Sequence, residues 1–273
     1  FKYKNGLSFY IYFHKLSITN GLNRKEKLMV NHLTDIRENL IFSQLPHSEL
    51  EELSQHLELV SLSQAEVLYE INEKIEYVYF PTNSIISLQN FLEDGSTVQI
   101  EMVGNEGFSD ISFILNKNMT FSEAVVMQSG HAYKISVKAI SELLARSEGR
   151  RNGILKSLMM EYVQTIFMNI AQISTCNCRH TLEQRFSRWL LLTFSRLDSN
   201  NLSITHETIG YLLGVRRESI TEIAHKFQLN GIINTRRGKM EIKNKPLLEH
   251  KACECYETMC QSMSISGRSK KVA

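Results

Sequence analysis

Residues 202–227 read LSITHETIGYLLGVRRESITEIAHKF, in which a single glycine separates two amphipathic segments. Thr205 is a suitable N-cap for a helix that begins at His206, because its hydroxyl can accept a free backbone N–H. Gly214 stands where the chain must turn with positive φ. Gly210 is small enough to let two crossing helices approach closely. The stretch therefore predicts a helix-turn-helix.

The second predicted helix carries polar side chains near its N-terminal end, the end that a helix-turn-helix places in the major groove of DNA. The positions that should pack the two helices together are Ile209, Leu212, Leu213, Ile220, Ile223, Ala224 and Phe227. The outward-facing positions are Arg216, Arg217, Glu218, Ser219, Thr221, Glu222 and His225. These spacings also fit an ordinary helix pair with a solvated charged face.

Residues 229–242, LNGIINTRRGKMEI, favour the first interpretation. Their apolar positions alternate around Arg236-Arg237-Gly238-Lys239, a pattern typical of a β-hairpin. A hairpin that follows a recognition helix is a wing, and the cations at its tip suit phosphate contact. We therefore predict a winged helix-turn-helix over residues 179–250, followed by a C-terminal tail over 251–273.

The net charge of +2 hides an uneven distribution along the 273 residues. Residues 29–175 carry 9 Lys and Arg against 19 Asp and Glu, whereas residues 176–250 carry 12 against 7. Because a basic surface gains affinity for nucleic acid from counterion release, we expect the C-terminal third to bind any nucleic acid. The length allows two domains, and 42% hydrophobic residues with three prolines indicate a well-folded soluble chain.

Residues 1–28 combine clustered aromatic residues with scattered lysines. The apolar run is too short to cross a bilayer, and no convincing cleavage site follows it, although a weak secretory signal is an alternative. We interpret Met29 as the start of the native protein and residues 1–28 as an extension of doubtful function.

Residues 29–150 predict an antiparallel jelly roll with flanking helices. From His32 to Leu57 apolar residues recur at helical spacing, with a break at Pro46. Beyond Leu59 the period changes to two, and turn signals separate short segments, which indicates a closed roll. The predicted strands are Val67–Tyr69, Tyr77–Phe80, Ile85–Leu88, Val98–Met102, Ala124–Met127 and Ala132–Ile135.

Helical spacing returns after Val137. It predicts a short helix over Ile140–Leu144 and a long helix from near Asn152. We interpret residues 151–178 as a dimerisation helix and hinge, with Cys176–His180 interrupting the helix. The predicted dimer contacts, spaced as in a coiled coil, are Leu155, Met159, Tyr162, Ile166 and Ile173, and Asn169 shares their seam. Burial inside a monomer is the alternative. The next helix, residues 182–197, should back the DNA-binding helices with Phe186, Trp189, Leu190 and Phe194.

In the order of these elements the chain resembles the CRP/FNR family of bacterial transcription regulators over about residues 35–256. The matching stretches are Val67–Glu70, Tyr77–Pro81, Met102–Gly107, Leu213–Ser219 and Ala252–Tyr256. The resemblance implies an α+β fold with a cyclic-nucleotide-binding-like sensor domain at residues 29–150. It also implies a cytoplasmic homodimer that binds double-stranded DNA, RNA polymerase and an unknown small effector, and no membrane.

The resemblance places Thr205 and Ser219 at phosphates and Arg217 and Glu218 at base edges. Arg can bind guanine as a fork, and Glu can accept from cytosine N4. The predicted base-reading residues are Arg216, Arg217, Glu218, Thr221 and Glu222. The predicted phosphate contacts are Thr205, His206, Ser219, Lys226, Arg236, Arg237 and Lys239. Because Glu222 stands where the best-known members have a second Arg, we do not expect their consensus DNA site.

Family members that bind cyclic AMP carry a Gly-Glu pair for the ribose and an Arg-Ser pair for the phosphate. This chain has Ile111-Ser112 and Thr120-Phe121 there, with no Lys or Arg between Asn118 and Gly130. A buried phosphate without a cation is costly, so we expect that cyclic AMP binding is lost. We assign no cofactor. The candidate effector pocket is Glu106, Ile111, Ser112, Thr120 and Phe121.

All five cysteines lie at or beyond Cys176, so the N-terminal cluster that oxygen-sensing members use for iron–sulfur binding is missing. Cys176 and Cys178, with Cys253, Cys255 and Cys260, could bind a metal or form a redox switch. Because C-x-C alone is a weak signal, we interpret all five as free thiols in a reducing cytosol and assign no metal ligands.

The sequence has no recognisable nucleophile turn and no glycine-rich phosphate loop, so we expect no enzymatic activity. Gly104–Gly107 is interpreted as a turn of the roll. The alternative to a DNA-binding regulator is a sensor of cyclic nucleotides or other small molecules, or a scaffold, without DNA binding. The basic, winged C-terminal third argues against that alternative.

Overall fold

The computed structural model describes residues 35–115, 119–146, 153–197 and 199–265. The extension predicted at residues 1–28 lies outside them. Two short helices, α1 (Leu40–Ser43) and α2 (His47–Ser54), meet at Pro46 as predicted. Asn39 caps α1, and its Nδ2 donates 2.9 Å hydrogen bonds to Pro81 O and Gly107 O. This buried amide fixes the helical entry to the strands that follow.

The N-terminal domain is built from two antiparallel sheets, with strand orders β1-β7-β3 and β2-β6-β4-β5. Their strands are β1 (Glu58–Leu62), β2 (Val67–Tyr69), β3 (Tyr77–Pro81), β4 (Ile85–Phe91), β5 (Thr97–Val103), β6 (Glu123–Gln128) and β7 (Gly130–Ser136). The antiparallel fold is confirmed. We refer to this domain as the β-roll. Strand β1 was not predicted because it lies at a sheet edge and is mostly exposed, so its apolar alternation is weak.

Aromatic packing joins the β-roll to the helices. The ring centroids of Phe42 and Phe80 lie 4.4 Å apart, and those of Phe108 and Tyr162 lie 4.9 Å apart. A Cβ at Gly107 would lie 1.9 Å from the Tyr162 ring, so only glycine fits this turn. The turn predicted at Gly104–Gly107 therefore also packs directly against the long helix that carries Tyr162.

The long helix α4 (Ile154–Arg179) follows α3 (Val137–Arg146) and starts close to the predicted position. Its predicted dimer contacts Leu155, Met159, Tyr162 and Ile166 are buried in the core of their own β-roll, and Ile173 packs on the C-terminal core. The structure therefore places these residues inside a single chain and not on an exposed face of α4. The apolar stripe is wide enough for two faces, and spacing does not tell which one packs inside. The exposed positions of α4 include Met160, Gln164, Phe167, Met168 and Ala171.

The predicted interruption at Cys176 is also displaced, because α4 continues through Arg179. None of residues 176–179 is a helix breaker, and Arg179 suits the negative end of the helix dipole. The break falls at His180, whose φ and ψ are −105° and 149°. Thr181 then starts the next helix with a capping box that it forms with Gln184.

The C-terminal domain contains a helix-turn-helix with a three-stranded wing sheet, strand order β8-β10-β9. Its elements are α5 (Leu182–Ser195), β8 (Leu202–Ser203), α6 (His206–Leu213), α7 (Arg217–Leu229), β9 (Ile233–Arg236), β10 (Lys239–Ile242), α8 (Lys245–Lys251) and α9 (Cys255–Ile265). Phe186 of α5 stacks on Phe227 of α7, with ring centroids 5.9 Å apart. Helix α5 therefore backs the recognition helix as predicted.

The segment predicted as a C-terminal tail includes α9, which packs against α4. Ser262 Oγ donates to Asn169 Oδ1 across 3.1 Å. The tail thus returns to the long helix. Over the ranges that the structure describes, no helix has the length and apolar character needed to cross a membrane.

Candidate nucleic-acid interface

Two glycines set the geometry of the helix-turn-helix. Gly214 ends α6 with φ of 65°, the left-handed conformation that the turn requires. A Cβ at Gly210 would lie 2.9 Å from the Val215 carbonyl oxygen, so the two helices can approach this closely only at glycine. Thr205 caps α6 by accepting from Thr208 N at 3.1 Å.

The recognition helix α7 starts at Arg217, with Arg216 at its N-cap. The predicted base-reading residues Arg216, Arg217, Glu218, Thr221 and Glu222 are all exposed to solvent. Ser219 lies at the same end of the helix. The opposite face is buried in the domain core through Ile220, Ala224 and Phe227. The helix thus presents its polar N-terminal turns to solvent.

Lys226 lies apart from this surface. It sits in the last turn of α7, and its Nζ donates to Glu183 of α5. The same carboxylate lies 3.5 Å from Lys251 Nζ, and the hydrogen bond from Lys226 lowers the pKa of Glu183. The structure therefore gives Lys226 an intramolecular partner and does not bring it to the other predicted phosphate contacts.

The wing places its three cations at one tip. Arg236 pairs with Lys239 as the last pair of the β9–β10 hairpin, and Arg237 and Gly238 form the two-residue turn. Their φ values are 49° and 76°, which is the pattern of a type I′ turn. All three cationic side chains are exposed. The hairpin thus projects three positive charges beyond the domain surface.

A cleft of about 340 Å³ lies between the wing and the start of the recognition helix. Predicted contact residues from three elements line it: Thr205, His206, Arg217, Arg236, Arg237 and Lys239. These residues are distant in sequence, yet the fold brings them to one surface. The cleft is open and cationic, which suits a phosphate backbone.

His206 belongs to this surface as a neutral group. Its Nδ1 lies 3.1 Å from Thr221 Oγ1. Desolvation and the nearby Arg217 charge lower its pKa, so the imidazole is uncharged at pH 7. His206 can therefore hydrogen-bond to a phosphate through its imidazole ring.

Residues 184–251 match the Crp-like helix-turn-helix domain. The match contains most of α5, the helix-turn-helix, the wing and α8, which are the elements that build the surface just described. We refer to this part of the chain as the Crp-like domain. A comparison with curated proteins finds no match.

Solved structures share the fold of the chain. FixK2 from Bradyrhizobium japonicum is 15% identical, with a TM-score of 0.61 over 72% of this chain and 98% of its own. A putative regulator of the crp/fnr family from Eubacterium rectale is 18% identical, with a TM-score of 0.58 over 78% and 98%. A CRP family regulator from Thermus thermophilus is 18% identical, with a TM-score of 0.56 over 71% of this chain and 96% of its own. The chain therefore has the CRP/FNR fold.

The structure describes all five residues of the predicted effector pocket. Ile111, Ser112 and Thr120 are buried in the β-roll, and Phe121 is 46% exposed. Glu106 faces the Crp-like domain, where its Oε1 accepts from Arg196 Nε at 2.7 Å. Glu106 therefore makes a contact between the two domains.

A buried polar junction connects the β-roll to the Crp-like domain. Trp189 Nε1 donates to Gln99 Oε1 at 2.8 Å, and Gln99 Nε2 donates to Ser87 Oγ at 2.7 Å. Nearby, Glu101 is 2% exposed, and burial raises its pKa to about 7 against the lowering effect of Arg196. No sequence pattern indicates this junction, because its members lie on separate strands and helices.

A second cleft, of about 400 Å³, lies between the domains. Gln64 of the β-roll donates to Ser203 O across it at 2.6 Å. Val125, Met127 and Leu212 contribute apolar walls. The predicted effector residues do not line this cleft, which is instead bordered by Thr205 and Gly238 on its C-terminal side.

Three cysteines and one histidine also meet, on elements other than the helix-turn-helix and the wing. The ligand atoms of Cys176, His180, Cys253 and Cys255 all lie within 4.8 Å of one another. Each C-x-C pair is a weak signal by itself, so no metal ligands were predicted from the sequence. Cys178 is exposed and Cys260 is half-buried, and neither belongs to this group.

Proposed function

We propose that the protein is a sequence-specific transcription regulator that binds double-stranded DNA as a homodimer. One observation carries the proposal: the recognition helix, the α6 N-terminus and the wing cations share one exposed surface. The matched Crp-like domain supports it, because that domain is the part of the chain that builds this surface. A cationic surface of this kind gains affinity by releasing counterions from DNA.

The surface divides into two kinds of contact. We infer that Arg217 and Glu218 read base edges, with Arg216, Thr221 and Glu222 beside them in the same groove. Thr205, Ser219 and the wing cations then hold the phosphate backbone, and His206 adds a neutral hydrogen bond. Phosphate contacts set the register of the domain, and base contacts set its specificity.

We infer that two chains pair through the exposed face of α4. Met160, Gln164, Phe167 and Ala171 follow one another in steps of four, three and four, which is the spacing of a coiled-coil seam. Met160 is 43% exposed and Phe167 is 55% exposed in the single chain. A symmetric dimer would then present two recognition helices to successive major grooves.

Cyclic AMP is not the effector in this proposal. The buried Ile111, Ser112 and Thr120 offer no cation for a cyclic phosphate, and no Lys or Arg occurs from Met119 to Ser129. Titration calorimetry with cyclic AMP should detect no binding in the micromolar range. Micromolar or tighter affinity would overturn this part of the proposal. RNA polymerase and a small effector remain predicted partners.

The proposal is tested by selecting binding fragments from genomic DNA with the purified full chain at fixed moderate salt. We expect enrichment of a two-fold symmetric site. Arg217→Ala should lose about 1–3 kcal/mol of discrimination at one position of each half-site. Arg146→Ala removes an exposed cation from the β-roll and serves as the matched control. The selection is repeated with and without cyclic nucleotides and under oxidising and reducing conditions. Failure to bind DNA in all of them would favour a sensor or scaffold instead.

A further inference from the structure

The end of the long helix and the start of the last helix bring four potential metal ligands together. Cys176 lies in the last turn of α4, and His180 follows four residues later at the helix end. Cys253 lies in the turn between α8 and α9, and Cys255 is the first residue of α9. Positions i and i+4 share a helix face, and a C-x-C turn can direct both sulfurs to one point. Two short segments, with Cys176 and Cys253 77 residues apart, therefore supply two ligands each.

The distances are those of a single ion. Cys176 Sγ lies 3.5 Å from Cys253 Sγ, and Cys255 Sγ lies 3.5 Å from His180 Nδ1. A tetrahedral Zn²⁺ with bonds of about 2.3 Å to sulfur and 2.0 Å to nitrogen separates its ligand atoms by about 3.5–3.8 Å. All four atoms lie within 4.8 Å of one another, so small shifts complete the tetrahedron. An iron–sulfur cluster would need its ligands spread around several iron atoms.

The surroundings orient the ligands. His180 Nε2 lies 3.2 Å from Glu254 Oε1, so the carboxylate can accept the Nε2 proton and leave the Nδ1 lone pair facing the sulfurs. Metal-bound histidines usually have such a carboxylate partner. Gln172 Nε2 donates to Cys255 Sγ at 2.9 Å. The three cysteines are at most 5% exposed.

We infer that Cys176, His180, Cys253 and Cys255 form a structural zinc site. Zn²⁺ would displace three thiol protons to solvent and bind the neutral imidazole. Four protein ligands leave no open position, which is the arrangement of structural rather than catalytic zinc. A Cys176–Cys253 disulfide is the main rival, but it leaves the Cys255, His180 and Glu254 arrangement without a role.

The site would join the two parts of the chain at their connection. Cys176 and His180 lie just before the Crp-like domain, and Cys253 and Cys255 lie just after it. Zinc would therefore fix the direction in which that domain leaves α4. This inference concerns metal binding and does not depend on the proposed DNA binding.

The test measures zinc in the full chain, purified without a metal-affinity tag, by inductively coupled plasma mass spectrometry. We expect about one zinc per chain. Cys176→Ser, Cys253→Ser and Cys255→Ser should each lose most of it. Cys178→Ser and Cys260→Ser, matched thiol losses outside the site, should keep it. Glu254→Gln should keep the stoichiometry at saturating zinc but bind zinc about 10–100-fold more weakly.

Reversible loading covers the case in which ligand variants fail to fold. Chelation of the wild-type chain should lower its melting temperature by about 5 °C or more, and zinc should restore it. Cobalt should give the visible bands of a tetrahedral thiolate site. A chain with no zinc and no cobalt bands, with five titratable thiols or one disulfide, would overturn the inference. Equal zinc loss in Cys178→Ser and Cys176→Ser would do the same.

Discussion

Arg196 Nε lies 2.7 Å from Glu106 Oε1, and both side chains are buried where the β-roll meets the Crp-like domain. Glu106 also accepts from Gly104 N at 3.1 Å, and Arg196 Nη1 donates to Leu192 O at 2.8 Å. The pair is thus held from both sides. Removing only one partner of a buried ion pair is strongly destabilising, because the remaining charge is left buried with neither a partner nor water.

Glu106→Ala should therefore lower the free energy of unfolding by about 3–5 kcal/mol, as measured by urea denaturation. The double variant Glu106→Gln with Arg196→Met removes both charges and should recover most of the loss. If Glu106→Ala changed stability by less than about 1 kcal/mol, the pair would not hold the two domains together.

Glu101 should give the stability of the junction an unusual dependence on pH. Burial raises its pKa from 4.5 to about 7, while Arg196 lowers it and Glu106 raises it further. The folded state then binds the proton more tightly than the unfolded state. The stabilising contribution is complete below about pH 4.5 and is lost as pH rises to about 7. Between low and high pH, the contribution of Glu101 to the unfolding free energy changes by on the order of 3 kcal/mol.

We expect Glu101→Gln to remove this loss of stability with rising pH. Wild type should therefore lose unfolding free energy relative to the variant as pH rises from about 4.5 to about 7. Denaturation at several pH values measures it. Glu93→Gln, at an exposed carboxylate, is the control and should show no such difference. Parallel pH profiles for wild type and Glu101→Gln would contradict the assignment.

Gly210→Ala tests the crossing of the two DNA-binding helices. The added Cβ would meet the Val215 carbonyl oxygen at 2.9 Å, and a backbone atom cannot move away cheaply. We expect a loss of about 1–3 kcal/mol in unfolding free energy together with weaker DNA binding. Glu207 lies on the exposed side of the same helix. The control variant Glu207→Ala should therefore have an unfolding free energy within about 0.5 kcal/mol of wild type.

Lys239→Ala should weaken DNA binding about equally for all sequences, because the wing tip contacts phosphates. The slope of log affinity against log salt should become shallower by about 0.9. Fluorescence anisotropy over a salt series measures both effects. Lys138→Ala, a lysine of the β-roll far along the chain from the wing, is the matched control. An altered sequence preference in Lys239→Ala would mean that the wing reads bases.

Phe167→Glu should convert the dimer to a monomer in analytical ultracentrifugation, because it places a charge in the proposed seam. Phe91→Glu changes another half-exposed phenylalanine and should leave the dimer intact. Met159→Ala, on the buried face of α4, should cost about 2–5 kcal/mol of stability without a specific effect on association. A dimer that survived Phe167→Glu but separated in Met159→Ala would reverse this assignment.

Local features of the sequence predicted the helix-turn-helix and the wing hairpin well. Thr205, Gly214 and the Arg236–Lys239 turn each act within a few residues, where caps and turn chemistry decide the backbone. Spacing along α4 did not identify its exposed face, because periodicity marks apolar positions but not the surface that covers them. The Arg196–Glu106 pair and the cysteine cluster arise from contacts between distant segments, and no spacing along the chain announces them.

At the wing tip, the residue that would best stabilise the fold differs from the residue that would best bind DNA. Arg237 adopts φ of 49°, a conformation that costs an L-residue about 1–2 kcal/mol and that glycine adopts freely. Selection for stability alone would place glycine or asparagine there. Arg237→Gly should therefore give a more heat-resistant protein that holds DNA less tightly. At this position thermal robustness and affinity are opposed, so efforts to stabilise the chain should leave Arg237 unchanged.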